Sequence, residues 1–148
     1  MRTDINLVVM QCQLLHPEAK LPSKKRDTDA GYDLFSIMDA ELSPKAATLV
    51  RTGICLSAPQ GYYYTIEGRS SLWSVGIMPN RGIIDTGYTG EIWVSLVNYT
   101  DEVYRVHKGD RIAQILFHKQ YDARFDLVNQ FGPEYNHRGN HGFGSTGR

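Results

Sequence analysis

Three kinds of feature are scarce in this sequence, and each scarcity closes off a class of protein. Excess charge of one sign is missing: 16 basic residues face 16 acidic ones across 148. Binding a duplex nucleic acid or an anionic membrane needs a basic face, so neither partner is expected. The run "KKR" at Lys24–Arg26 is too short to change that and reads as a solvated loop. Cysteine is nearly missing. Cys12 and Cys55 stand far apart in the chain, which suits reduced thiols better than a disulfide framework. Long apolar runs are missing too. "MRTDINLVVMQCQLL" carries Asp4 and only a short apolar stretch. Neither a signal peptide nor a membrane span is expected, and the protein is read as soluble and intracellular, with cytoplasm and nucleus both open.

What is present is the punctuation of β-sheet. Short runs rich in β-branched and aromatic residues alternate with glycine, proline, asparagine and aspartate. Strands are expected over Leu7–Leu15, Tyr32–Ser36, Leu49–Ser57, Tyr62–Glu67, Ile92–Asn98, Tyr104–Val106 and Arg111–His118. Pro22, Pro44, Pro59, Pro79 and Pro133 fall between these runs, where a missing donor does no harm. Only "SLWSVGI", Ser71–Ile77, suits a short helix. The expected fold is all-β: a jelly-roll barrel or sandwich over residues 1–132 with one short helix, followed by a glycine-rich arm over 133–148.

Several stretches carry chemistry. In the closing "RGNHGFGSTGR", glycines let backbone N–H groups approach an anion, and Arg138, Ser145 and Thr146 add donors suited to phosphate oxygens. Phe143 offers a ring on which a base can stack. The same composition also describes a plain polar terminus. The sequence has no GxxxxGKS/T phosphate loop. His137 and His141 are four apart, but Gly139 and Gly142 disfavour the helix that would make them joint metal ligands. In "GIIDTGYTGEI", Asp85 is either the turn former of a β-hairpin or a carboxylate able to deprotonate a water beside Tyr88. "EGRSSLW" places Arg69 and Ser70 at the start of the short helix, as an anion site or as a serine N-cap. Asp33 in "AGYDLFS" is an edge or turn feature, or a charge kept for a metal or partner. Gln114 in "GDRIAQ" satisfies a backbone group or faces a ligand.

In this order, "AGYDLFS", "GRSSLW", "GIIDTGYTGEI", "GDRIAQ" and "RGNHGFGSTG" resemble the five motifs of the homotrimeric dUTPases, the enzymes that hydrolyse dUTP to dUMP and pyrophosphate. The resemblance runs from "KLPSKKRDTDAGYDL" to the end of the chain. It implies a jelly-roll homotrimer whose three sites each draw on more than one subunit, with the tail as a lid. It implies that Asp85 activates the attacking water and that Tyr88 packs under the deoxyribose and excludes a 2′-hydroxyl. Gly82, Ile83 and Ile84 would read the uracil edge. Arg69, Ser70, Ser71 and Gln114 would contact the phosphates. Phe143 would cover the uracil, with Arg138, Gly144, Ser145 and Thr146 closing over the phosphates. Mg²⁺ would ride mainly on the triphosphate, supported by Asp33 through water. Such an activity limits uracil in DNA and supplies dUMP for dTMP synthesis. A dCTP deaminase shares the fold, but is not expected to end in the Phe-Gly-Ser-Thr-Gly segment. Four positions depart from the family pattern: Gly68, Ser71, Trp73 and His141 stand where proline, glycine, alanine and glycine are usual.

Overall fold

The alternation of β8 (Glu91–Asn98) shows how the sequence builds its core. Ile92, Val94, Leu96 and Asn98 point inward and are buried, while Trp93 between them is exposed. β8 lies in a four-stranded sheet of order β1-β4-β8-β6, with β1 at Gln11–Leu14, β4 at Ala47–Ser57 and β6 at Ile77–Pro79. A second four-stranded sheet has the order β2-β10-β5-β7, from Tyr32–Phe35, Arg111–Lys119, Tyr62–Glu67 and Gly82–Ile84. A two-stranded sheet pairs β3 (Ala40–Leu42) with β9 (Tyr104–Val106). Pairing is antiparallel throughout. Val50, Ile54, Leu56, Ile92, Val94 and Leu96 form one buried core with Leu34, Tyr64, Ile66 and Ile115 of the other sheet. Each such side chain stabilises the fold by about 1.5–3 kcal/mol on leaving water. This computed structural model describes residues 7–135 and Gly139. Arg138, Phe143, Gly144, Ser145 and Thr146 lie outside the described residues.

The fold is the all-β, jelly-roll-like architecture expected. Two strands, Tyr62–Glu67 and Tyr104–Val106, fall where the sequence places them. Three differences have physical causes. The helix α1 covers Ser70–Trp73, not Ser71–Ile77. It is closed by Gly76 in the left-handed region (φ 77°), and Ile77 is fully buried at the start of β6. Pro79 lies within a strand, but β6 is an edge strand, so its missing N–H breaks no ladder. "GIIDTGYTGEI" is not a β-hairpin: β7 and β8 belong to different sheets, and the segment is a corner between them. After Lys119 no strand follows among the described residues, and 120–131 are exposed. No helix among them is long and apolar enough to cross a membrane.

One core group is unsatisfied. Tyr64 is fully buried, and its hydroxyl has no hydrogen-bond partner among the described residues. Burial pushes the phenol well above its ordinary value. An orphaned buried hydroxyl costs about 1–3 kcal/mol, so Tyr64→Phe is expected to stabilise the protein. The gain should appear in calorimetry as roughly 2–4 °C of thermal midpoint per kcal/mol. An unchanged or lower midpoint would show that the hydroxyl is satisfied after all.

Candidate active site

The register of the second sheet assembles a polar row at one end of its strands. Gln114 on β10 lies opposite Asp33 on β2 and opposite Glu67 on β5. Just beyond β5 come Arg69 and α1. Arg69 is the N-cap residue, extended at φ −105° and ψ 136°, and no side chain caps the helix. Ser70 is therefore the first helical residue and not the N-cap. The N–H groups of Ser70 and Ser71 have no intrahelical acceptor.

An open cleft of about 370 Å³ is lined by Asp33, Arg69, Ser70, Ser71 and Gln114. Five of the residues singled out in the sequence thus share one surface. The cleft also takes in Asp29, Ala30, Gly31 and Arg111, which the sequence reading did not single out, and Lys25 and Arg26, which it read as a solvated loop. Asp33 is the bracket of this group. Its Oδ1 accepts from Arg69 Nε at 2.8 Å, and its Oδ2 lies 3.5 Å from Arg111 Nη1. Arg69 Nη1 further donates to Ser71 Oγ and to the Arg111 carbonyl, each at 3.2 Å. Two guanidinium groups are thus held against one carboxylate, an arrangement that leaves surplus positive charge facing the cleft. Gln114 Nε2 donates to the Gly68 carbonyl at 2.7 Å. Of the two roles read for this side chain, the backbone one is made, and the residue still lines the cleft.

Two departures from the family pattern prove to be one feature. The indole of Trp73 packs directly on Gly68, so closely that any β-carbon at 68 would collide with it. With the indole where it stands, Trp73 requires glycine at 68. The hydroxyl of Ser71, where glycine is usual, gives Arg69 an added acceptor.

Gly82, Ile83, Ile84, Asp85 and Tyr88 are not in this cleft. The ladder sets Ile84 beside Tyr64 and Gly82 beside Ile66, so Asp85 leaves the sheet toward the opposite end of β5 from Arg69. Five residues of extended chain separate Tyr64 from Arg69, on the order of 15 Å. β7 is an edge strand, so one side of its backbone is unpaired within the chain. Asp85 is exposed, and its carboxylate has no partner among the described residues. Its carbonyl accepts from Tyr88 N at 3.2 Å, closing the corner. The Tyr88 ring is half exposed, and its hydroxyl donates to the Glu91 carbonyl at 3.2 Å.

No group of three or more His, Cys, Asp or Glu among the described residues could hold a metal ion. Both oxygens of Asp33 already face arginines. Direct ligation by Asp33 does not fit, whereas support through water of a cation carried by phosphate oxygens does.

The chain thus pairs a basic cleft at one end of β5 with an unpaired strand edge on β7, and comparison with known proteins places it in a family. The family model for dUTPase matches residues 17–147. The deoxyuridine 5'-triphosphate nucleotidohydrolase of Helicobacter pylori (strain ATCC 700392 / 26695) is 38% identical over 141 residues, covering 93% of this chain and 96% of that protein. The dUTPase of Staphylococcus bacteriophage 80alpha, solved with dUPNHPP, superposes with a TM-score of 0.86 at 28% identity, over 95% of this chain and 99% of that one. The dUTPase of phage phi11 of S. aureus, described with a structural Mg(II) ion, gives a TM-score of 0.77 at 25% identity over 83% of this chain and 98% of that one. The chain belongs to the dUTPase family. Its enzyme class is that of a dUTP diphosphatase.

Proposed function

We propose that the chain hydrolyses dUTP to dUMP and pyrophosphate at sites assembled between subunits of a homotrimer. The observation that carries this reading is the separation of Asp85 from the Arg69 cleft within one chain, where the chemistry needs both at one substrate. A second copy supplying its corner to the cleft of the first resolves the conflict. Exposed Leu49, Trp73, Val75, Ile83 and Trp93 give the subunit apolar surface to cover.

At such a site Arg69 and Arg111 bind the phosphate chain, with the N–H groups of Ser70 and Ser71 as further donors. Gln114 holds the turn at Gly68 in place and borders the phosphates. The open edge of β7 at Gly82–Ile84 reads the base, and the Tyr88 ring packs under the sugar, leaving no room for a 2′-hydroxyl. Asp85 takes a proton from water as the water oxygen bonds to the α-phosphorus. The bond from that phosphorus to the bridging oxygen breaks, and pyrophosphate leaves with the electron pair. Asp33 and Asp29 would support a Mg²⁺ ion carried by the triphosphate through water, and the ion would supply charge neutralisation there. Residues 133–148 act as a lid on the 1–132 body: Phe143 covers the base, while Arg138, Gly144, Ser145 and Thr146 close over the phosphates and exclude water.

Subunit complementation tests the reading. Asp85→Asn and Arg69→Ala are each expected to be inactive alone. If one chain gives Asp85 and its neighbour gives Arg69, every mixed trimer contains one intact site. Random mixing in equal amounts should then restore about one quarter of wild-type activity. Light scattering should give three times the 16.7 kDa chain mass. No recovery on mixing, or a fully active monomer, would overturn the shared site.

A further inference from the structure

We propose that the Arg51–Glu91 ion pair, seated in a bulge of β4, is a positioning element for Tyr88 and hence for selection of the sugar; it rests on the dUTP reading above. β4 and β8 pair regularly up to Arg51 opposite Trp93, and pairing resumes at Cys55 opposite Glu91. Three residues of β4 therefore face only Ile92. The irregularity leaves backbone groups that the ladder cannot satisfy, and side chains take them. Thr52 Oγ1 donates to the Ile92 carbonyl at 2.6 Å. Glu91 Oε1 accepts from Gly53 N at 3.0 Å. Position 53 favours glycine: its φ is 68°, and a β-carbon would press on Ile37 and Ala19.

Glu91 is gripped from a second direction. Arg51 Nε lies 3.1 Å from Oε1, and Nη2 lies 3.1 Å from Oε2, a two-pronged contact. The Arg51 guanidinium sits 5.5 Å from the centre of the Trp93 ring, which limits its own freedom. The Glu91 side chain is only 13% exposed, so its contact with Arg51 is less screened by water than a fully exposed ion pair.

What the clamp holds is the corner. Glu91 is the first residue of β8, and its carbonyl accepts the Tyr88 hydroxyl. The hydroxyl end of the ring lies over Gly90, where no side chain intervenes. Because β7 and β8 belong to different sheets, no ladder fixes Tyr88 directly. Its ring takes its place from Glu91, and Glu91 takes its place from the β4 bulge. A ring that discriminates a hydrogen from a hydroxyl at C2′ must be held to within a fraction of an ångström. A loose Tyr88 ring would admit the ribose while the Asp85 chemistry continued.

The readout is the ratio of kcat/KM for dUTP to that for UTP. Glu91→Gln and Arg51→Met are each expected to lower it about tenfold, the scale of one lost hydrogen bond, mostly through the two KM values. Arg51→Lys should recover part of the loss. Tyr88→Phe keeps the ring, removes its bond to the Glu91 carbonyl, and should lower the ratio similarly; adding Glu91→Gln to it should cost little more. Arg105→Met, which unpairs the exposed Glu41 on the β3–β9 ribbon, is the control and should leave the ratio alone. If the clamp variants lose thermal stability but keep the ratio, the pair only staples two strands and the proposal is wrong. If Glu91→Gln does not fold, Tyr88→Phe decides: an undiminished ratio there overturns the proposal. Tyr88→Ala separates the two layers. Lost selectivity in Tyr88→Ala with intact selectivity in Tyr88→Phe sinks the clamp alone, whereas intact selectivity in Tyr88→Ala sinks the role of the ring as well.

Discussion

Asp85→Asn is expected to fold, to bind dUTP and to lose turnover by about 10²–10⁴-fold, the usual cost of removing a general base. The stability half of this expectation comes from the corner itself. Asp85 is exposed and its carboxylate is paired with nothing among the described residues, so the amide breaks no ion pair. The turn is closed by the backbone bond from Tyr88 N to the Asp85 carbonyl, which the substitution keeps. Substrate should still bind, because the groups read as phosphate and base contacts lie on other residues. An amide cannot accept the proton of the attacking water, so the loss should fall on kcat. Single-turnover measurements with calorimetric binding of dUTP separate the terms. Near-normal turnover would remove Asp85 from the mechanism, and lost binding would make it a substrate ligand instead.

The sequence was readable where alternation and composition speak for local structure. β5 and β9 stand at their expected residues because each is a short β-rich run between turn formers. β3 and β6 carry fewer of the β-branched and aromatic residues that mark β9: Ala40–Leu42 reads Ala-Glu-Leu, and Ile77–Pro79 ends in a proline that reads as a turn. The corner was misread for a different reason. Two apolar runs around Thr86-Gly87 look the same whether the strands pair with each other or part into two sheets. Only the partners decide, and here β7 goes to β5 while β8 goes to β4.

Arg111 shows what a site reading loses without register. In a regular strand residues 111 and 114 face opposite sides, so Gln114 and Arg111 would not share a ligand. The irregularity between Arg111 and Ala113 turns the arginine to the face of Asp33. The one trace of it in the sequence is the pair Ile112-Ala113, two small or branched apolar residues side by side and both buried, which breaks alternation. Asp33 was singled out for a metal, and the structure adds the two arginines that occupy it. Gly68 and Trp73 looked like separate departures because their contact crosses a turn that the sequence does not display.

Deleting residues 138–148 is expected to leave the thermal midpoint of the body nearly unchanged and to cut kcat/KM for dUTP by roughly 10²–10⁴-fold. The first half rests on where the core ends. Among the described residues none beyond Ile115 is part of the buried cluster, with Phe117 the last side chain packed against it. Residues 120–131 lie exposed outside the sheets, so among the described residues the core draws no support from the chain beyond β10. The second half rests on the chemistry of "RGNHGFGSTGR". Phe143 stacked on a base is worth about 1–3 kcal/mol. A charge-assisted hydrogen bond from Arg138 to phosphate adds about 1.5–3 kcal/mol. Together these correspond to roughly two to four powers of ten in rate at about 1.4 kcal/mol each. Phe143→Ala should show the stacking part alone, and the loss in both variants should be smaller for hydrolysis of a substrate that lacks the base. Calorimetry of the truncated chain, beside its steady-state kinetics, reads both halves. Undiminished kcat/KM in a folded truncated protein would return the segment to a plain polar terminus, and the barrel alone would then have to hold the base and the phosphates.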